Sequence, residues 1–168
     1  MPLVDYDDGT RIIEGVPACH QGNTGTCAQA CVTSILNYWG YHVRYEDVIA
    51  NTSNQDMSSG MTPEQMMWYF RKYNLQSRVG TGKLSDLKRL IDKGLPTVVA
   101  FDENTVQHVV VMIGYNDYRE VVFYIDSMYG EITEEPYSDF IRAWSRTRAN
   151  STGYFDGSLN NVLIQVSR

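Results

Sequence analysis

Three runs in the second half of the chain constrain its fold most: Thr97–Phe101, Val106–Tyr115 and Val121–Asp126. Each is dense in β-branched and aromatic residues, and polar turn residues such as Asn116-Asp117 separate them. Side chains branched at Cβ are crowded in a helix and fit a pleated, half-buried surface, so the runs read as successive strands. Val162–Val166 alternates like a final strand.

The texture before Pro96 is helical. From Thr26 to Trp39, apolar residues recur at positions 28, 31, 32, 35, 36 and 39, and Gly40 stands where a helix would end. A short second helix is expected over Tyr45–Ala50, and Ser58-Ser59-Gly60-Met61 reads as a loop. Thr62-Pro63-Glu64-Gln65 combines a capping threonine, a first-turn proline and a glutamine three residues after the cap, which predicts a helix to Tyr73. Ser85 can cap a helix that Gly94 stops after Lys93, and Ser138 can cap a last one through Trp144. The first twenty residues read as an extended lead-in. Helices first and an antiparallel sheet second predict the α+β class, with the helical half packed on the sheet. No repeat, low-complexity tract or linker divides the 168 residues, so one domain over 1–168 is expected, large enough to bury a core.

Several function classes drop out. A net charge of −6 with no block of basic residues excludes a nucleic-acid partner, which needs a cationic face. No apolar run is long enough to span a bilayer, so no transmembrane segment is expected. The acidic start, Met1 to Asp8, lacks the basic-then-apolar order of a signal peptide, which favours a cytoplasmic location over secretion. Three cysteines leave at least one thiol unpaired within the chain, and a reactive thiol fits that count better than a disulfide framework. Cys19, His20, Cys27, Cys31 and His42 offer zinc-ligand chemistry, but no Cys-x-x-Cys pair occurs and the spacings match no common site. No metal or other cofactor is expected.

The remaining signal is an order of residues. Gln21-Gly22-Asn23-Thr24-Gly25-Thr26-Cys27 is a polar loop that runs directly into the first helix. A thiolate on Cys27 would gain from the unpaired N–H groups and positive dipole end of that helix. Cys31 falls one turn on, beside Ile35 on the apolar face, where a core cysteine belongs; Cys19 has no helix start beside it. Gln21 can fold back so that its amide and the Cys27 N–H form an oxyanion hole. His108 interrupts the valine-rich run and can serve as base and acid, held rigidly by a strand; His20 and His42 lie in less suitable contexts. Asp126 closes the strand Val121–Ile125 and can either accept the His108 Nδ1–H or bond the turn that follows, with Asp117 as fallback. Gln, Cys, His and Asp in this order are the parts of a thiol hydrolase.

These segments resemble the bacterial C39-like peptidases of the papain-like superfamily. In that family a glutamine precedes a cysteine–glycine–x–alanine–cysteine helix start, and a histidine opens a valine run ending in glycine–tyrosine. An aspartate then follows within a strand. Gln21, Cys27-Ala28-Gln29-Ala30-Cys31, His108 to Gly114-Tyr115, and Ile125-Asp126 match those features, and Leu95-Pro96-Thr97-Val98-Val99 matches the strand before the histidine. The likeness runs from about Gly15 almost to the C-terminus. Ala28 stands where glycine is usual and Ser127 where proline is usual, and neither removes a catalytic group.

The resemblance implies a papain-like fold, a Cys27–His108–Asp126 site with Gln21 at the oxyanion, and a peptide or protein substrate. The best-known members are transporter domains that cut leader peptides after paired glycines; this sequence shows no transmembrane or ATPase segment, so that substrate is not carried over. Acyl or peptidyl transferases and toxin domains share the superfamily's site and stand as alternatives. A non-enzymatic binding module would be marked by loss of the cysteine or histidine, and both are present.

Overall fold

The valine-rich segment around His108 folds as an 11-residue strand, and the sheet is assembled on it. The computed structural model describes residues 2–20, 26–52, 61–103, 106–145 and 161–168. In chain order the elements are β1 (Leu3–Asp5), β2 (Thr10–Ile13), α1 (Cys27–Tyr38), α2 (Tyr45–Thr52), α3 (Pro63–Lys72), β3 (Gln76–Thr81) and α4 (Leu84–Asp92). There follow β4 (Thr97–Glu103), β5 (Val106–Asn116), β6 (Val121–Asp126), β7 (Glu131–Pro136), α5 (Tyr137–Trp144) and β8 (Val162–Ser167).

Among the described residues every strand pairing is antiparallel, in the order β1-β2-β5-β4-β8-β3, with β6 and then β7 branching from β5. The length of β5 makes this possible. Its first part, to Met112, pairs with β4, and its last part, Gly114 to Asn116, pairs with β2. β6 pairs along Val111 to Asn116, overlapping both, so it takes the opposite edge of β5. The register shifts between Met112 and Gly114. A Cβ at position 114 would stand 2.8 Å from the Arg11 carbonyl oxygen, so the close approach of β2 needs glycine there.

Consecutive residues Val109, Val110, Val111, Met112 and Ile113 are all buried, although their side chains alternate between the two faces of the sheet. Both faces are therefore covered at β5, with α1 and α4 against that strand and α5 against β4, β6 and β7. Burying these five side chains contributes on the order of 10 kcal/mol before conformational entropy is subtracted.

The helix-start signature at Thr62 folds as read. Its hydroxyl accepts the Gln65 N–H at 3.1 Å, while the Gln65 side chain accepts the Thr62 N–H at 2.8 Å. Gly40 and Gly94 follow α1 and α4 with φ of 95° and 75°, the left-handed conformation that ends helices. Other details differ. The lead-in is a β1–β2 hairpin that extends the sheet, β3 and β7 are additional strands, and α2 continues to Thr52. α4 starts at Leu84, where the Asp86 carboxylate accepts the Lys83 N–H at 2.8 Å, rather than at a Ser85 cap. α5 begins at Tyr137, one residue ahead of the expected Ser138 cap. Asn116 belongs to β5 and closes the turn with its side chain, Oδ1 accepting the Tyr118 and Arg119 N–H groups at 2.9 Å each. The expected loop at Ser58–Met61 falls on described residues only at Met61.

Candidate active site

Cys27 is the first residue of α1 and is half-buried, so its thiol stands at the helix N-terminus within reach of solvent. His108 and Asp126 are each only 5% exposed. Sheet register explains why they meet. Val111 pairs with Ile125, so one further step sets Asp126 across from Val110, and His108, two residues along on the same face, becomes its diagonal neighbour. The Asp126 Oδ1 lies 2.8 Å from His108 Nε2, and the His108 ring also hydrogen-bonds the Cys27 thiol. Since Nε2 faces the carboxylate, Nδ1 is the nitrogen left for sulfur. This corrects the sequence-based expectation that Asp126 would take the Nδ1–H.

Asp126 also does what a strand-end aspartate does. The same Oδ1 accepts the Met128 N–H at 3.0 Å, tying the carboxylate to the turn after β6. The contact to the imidazole and the contact to the turn coexist on one oxygen.

The electrostatics follow from this packing. Burial pushes the His108 imidazole toward its neutral form, but the hydrogen bonds to Asp126 and Cys27 and their negative charge outweigh it, raising its pKa to about 10. Burial pushes the Asp126 carboxyl up, yet the bond to His108, its charge and the Met128 N–H carry it below the ordinary carboxylate value. An imidazolium beside a half-buried thiol at a helix start has what is needed to stabilise a thiolate. The other thiols are placed differently. Cys31 is buried, directs its S–H to the Val109 carbonyl at 3.5 Å, and is pushed well up by burial and by Cys27, Cys19 and Asp126. Burial and the nearby Glu46 raise Cys19 to about 11, against a hydrogen bond from Thr33 that lowers it.

Gln21 lies outside the described residues. Asp117 follows β5, at the end of the strand away from His108, and is engaged at the surface, 2.6 Å from Lys88 Nζ and 2.7 Å from the Tyr137 hydroxyl. His20 is exposed against Gly130, and His42 is exposed before α2. Among the described residues no three His, Cys, Asp or Glu side chains gather as a metal ion requires. A hollow of about 680 Å³ opens at Arg71, Gln76, Arg78 and Gln165, and no cysteine or histidine lines it. No helix among the described residues is long and apolar enough to cross a membrane.

One contact at the site has no counterpart in sequence spacing. Thr26, immediately before Cys27, has its Oγ1 2.6 Å from the hydroxyl of Tyr45, the first residue of α2. Only the fold brings position 45 to the start of α1.

Residues 13–152 match the model of the Peptidase_C39 like family. No curated protein is significantly similar to the chain. Among solved structures, the peptidase domain of Streptococcus ComA, a bi-functional ABC transporter involved in quorum sensing, superposes with a TM-score of 0.70 at 15% identity, covering 91% of this chain and 98% of that one. A double glycine motif protease from an AMS/PCAT transporter, solved in complex with the leader peptide, superposes with a TM-score of 0.66 at 17% identity, covering 91% of each chain. These likenesses show that the α+β architecture is the papain-like one.

Proposed function

Because the chain belongs to the peptidase C39-like family, we propose that it is a cysteine peptidase in which Cys27 is the nucleophile and His108 the general acid and base. Asp126 orients the imidazole. The observation that carries this reading is the continuous line from the Cys27 thiol through the His108 ring to Asp126 Oδ1, buried at its far end and half-open at the sulfur.

The Cys27 thiolate attacks the carbonyl carbon of a peptide bond, and the oxyanion is held by the Cys27 N–H and the Gln21 amide. The His108 imidazolium gives its proton to the leaving nitrogen, the C–N bond breaks, and a thioester remains on Cys27. Water, losing a proton to His108, then attacks the thioester, the C–S bond breaks, and the acid leaves with the Cys27 thiolate and His108 imidazolium restored. Asp126 keeps the ring turned with Nε2 toward itself and steadies its positive charge. Met128, Tyr129 and Ile132 are exposed on the turn and strand after Asp126, an apolar rim suited to the side chains of a bound peptide.

The test is cleavage of a peptide library by the full chain and by its Cys27→Ala variant. Products formed by the first and absent from the second support the reading. Equal product from both contradicts it.

A further inference from the structure

Among the described residues, two threonines precede helices and behave differently. Thr62 before α3 is extended, with φ −75° and ψ 160°, and its hydroxyl caps the first turn by accepting the Gln65 N–H. Thr26 before α1 has φ −113° and ψ 22°, outside the region from which a capping side chain folds back, and makes no side-chain cap. Its hydroxyl meets Tyr45 instead, at 2.6 Å, and Thr26 is only 7% exposed. The first turn of α1 also contains no acidic residue. A threonine able to quench the positive end of this helix is thus held away from it, at the one helix that starts with the proposed nucleophile.

We propose that Tyr45 is a positioning residue for Cys27: by engaging the Thr26 hydroxyl it prevents that hydroxyl from capping α1, and so keeps the first-turn amide groups directed to the negative charge formed at the cysteine. The inference rests on the catalytic reading of Cys27. A capping hydroxyl oxygen and a thiolate compete for the same donors, because both are acceptors at the first turn. Freed from Tyr45, Thr26 can rotate into the conformation Thr62 adopts, and the helix gains a cap at the expense of the thiolate. The arrangement gives up helix stability for reactivity, as strained or under-satisfied groups at active sites do.

The experiment measures alkylation of Cys27 by iodoacetamide across pH, read by peptide mapping, together with the melting temperature. It uses the full chain, Tyr45→Phe, Thr26→Val and the double variant. Tyr45→Phe keeps the ring and removes only the hydroxyl, and is expected to move the alkylation midpoint up by roughly half a pH unit, the worth of one cap. Thr26→Val, which has no hydroxyl to turn inward, is expected to keep the wild-type midpoint. The double variant is expected to return to it.

Equal midpoint shifts in Tyr45→Phe and Thr26→Val would mean that the bond is a simple tether, which overturns the proposal. So would an unshifted Tyr45→Phe or a double variant that stays shifted. Loss of melting temperature in Tyr45→Phe with no movement of the midpoint marks a merely structural role and overturns it as well. Failure of the catalytic reading looks different: Cys27 of the unmodified chain would be alkylated no faster than Cys19, and both conclusions would fall.

Discussion

His108 Nε2 and Asp126 Oδ1 are 2.8 Å apart across the β5–β6 pair, and that same oxygen accepts the Met128 N–H at 3.0 Å. One carboxylate oxygen therefore contacts both the imidazole and the turn that follows β6. Replacing Asp126 with Asn keeps the shape but removes the charge, so chemistry and stability should fall together. The rate is expected to drop between about tenfold and a thousandfold. Stability is expected to fall by about 1–3 kcal/mol, the scale of a charged hydrogen bond. Turnover and melting temperature of Asp126→Asn check both; loss of one without the other would separate the two roles.

The same variant should change the pH profile in a defined direction. His108 stays protonated to about pH 10 only because hydrogen bonds to Asp126 and Cys27 overcome the effect of burial. Without the Asp126 charge, burial weighs more, the imidazolium loses its proton at lower pH, and the alkaline limb of the rate profile should move down toward neutrality. An alkaline limb that does not move would show that Asp126 contributes nothing to the imidazolium.

Stability should carry the same signature in the wild-type protein. The folded-state pKa of His108 is raised above its ordinary 6.5, so the folded chain holds this proton more tightly than the unfolded chain. The resulting stabilisation is complete below the unfolded value of about 6.5 and is lost as pH rises through about 10. Melting temperature followed over this range should decline more steeply for wild type than for His108→Gln, which has no such proton to lose.

Gly114 offers a test of the fold rather than of the chemistry. A methyl group there would stand 2.8 Å from the Arg11 carbonyl oxygen, a backbone atom that cannot turn aside. Gly114→Ala should destabilise by roughly 1–3 kcal/mol, the usual cost of overpacking, with β2 displaced from β5. Chemical denaturation measures the loss, and a neutral substitution would mean that β2 is not held in this register.

The parts of the fold that were legible in the sequence are those whose burial leaves a pattern. β5 is buried on both faces and reads as a continuous apolar run, and α1 and the Thr62 capping box carry helical signals of their own. β7, Glu-Ile-Thr-Glu-Glu-Pro, has no fully buried residue, because an edge strand need not bury a face; its acidic residues and proline are what an edge tolerates. β3 contains a glycine and buries only Ser77 fully, and β1 is three residues long, so neither produces an apolar alternation. At the site, residue types and order point to Cys27, His108 and Asp126. The β5–β6 register brings His108 beside Asp126, the rotation of its side chain decides which nitrogen meets the carboxylate, and Tyr45 reaches Thr26 only through the packing of α2 on α1; chain spacing encodes none of these.

The central claim, that Cys27 is the thiol activated by His108, is tested most directly by competitive alkylation of the three cysteines at neutral pH. Cys31 is sealed in the core and Cys19 is held protonated by burial, whereas Cys27 alone shares a hydrogen bond with the imidazole. Iodoacetamide limited to less than one equivalent should mark Cys27 first, and His108→Ala should abolish that preference while Cys19 and Cys31 react as before. First labelling at Cys19 or Cys31, or a Cys27 preference that survives loss of His108, would contradict the account.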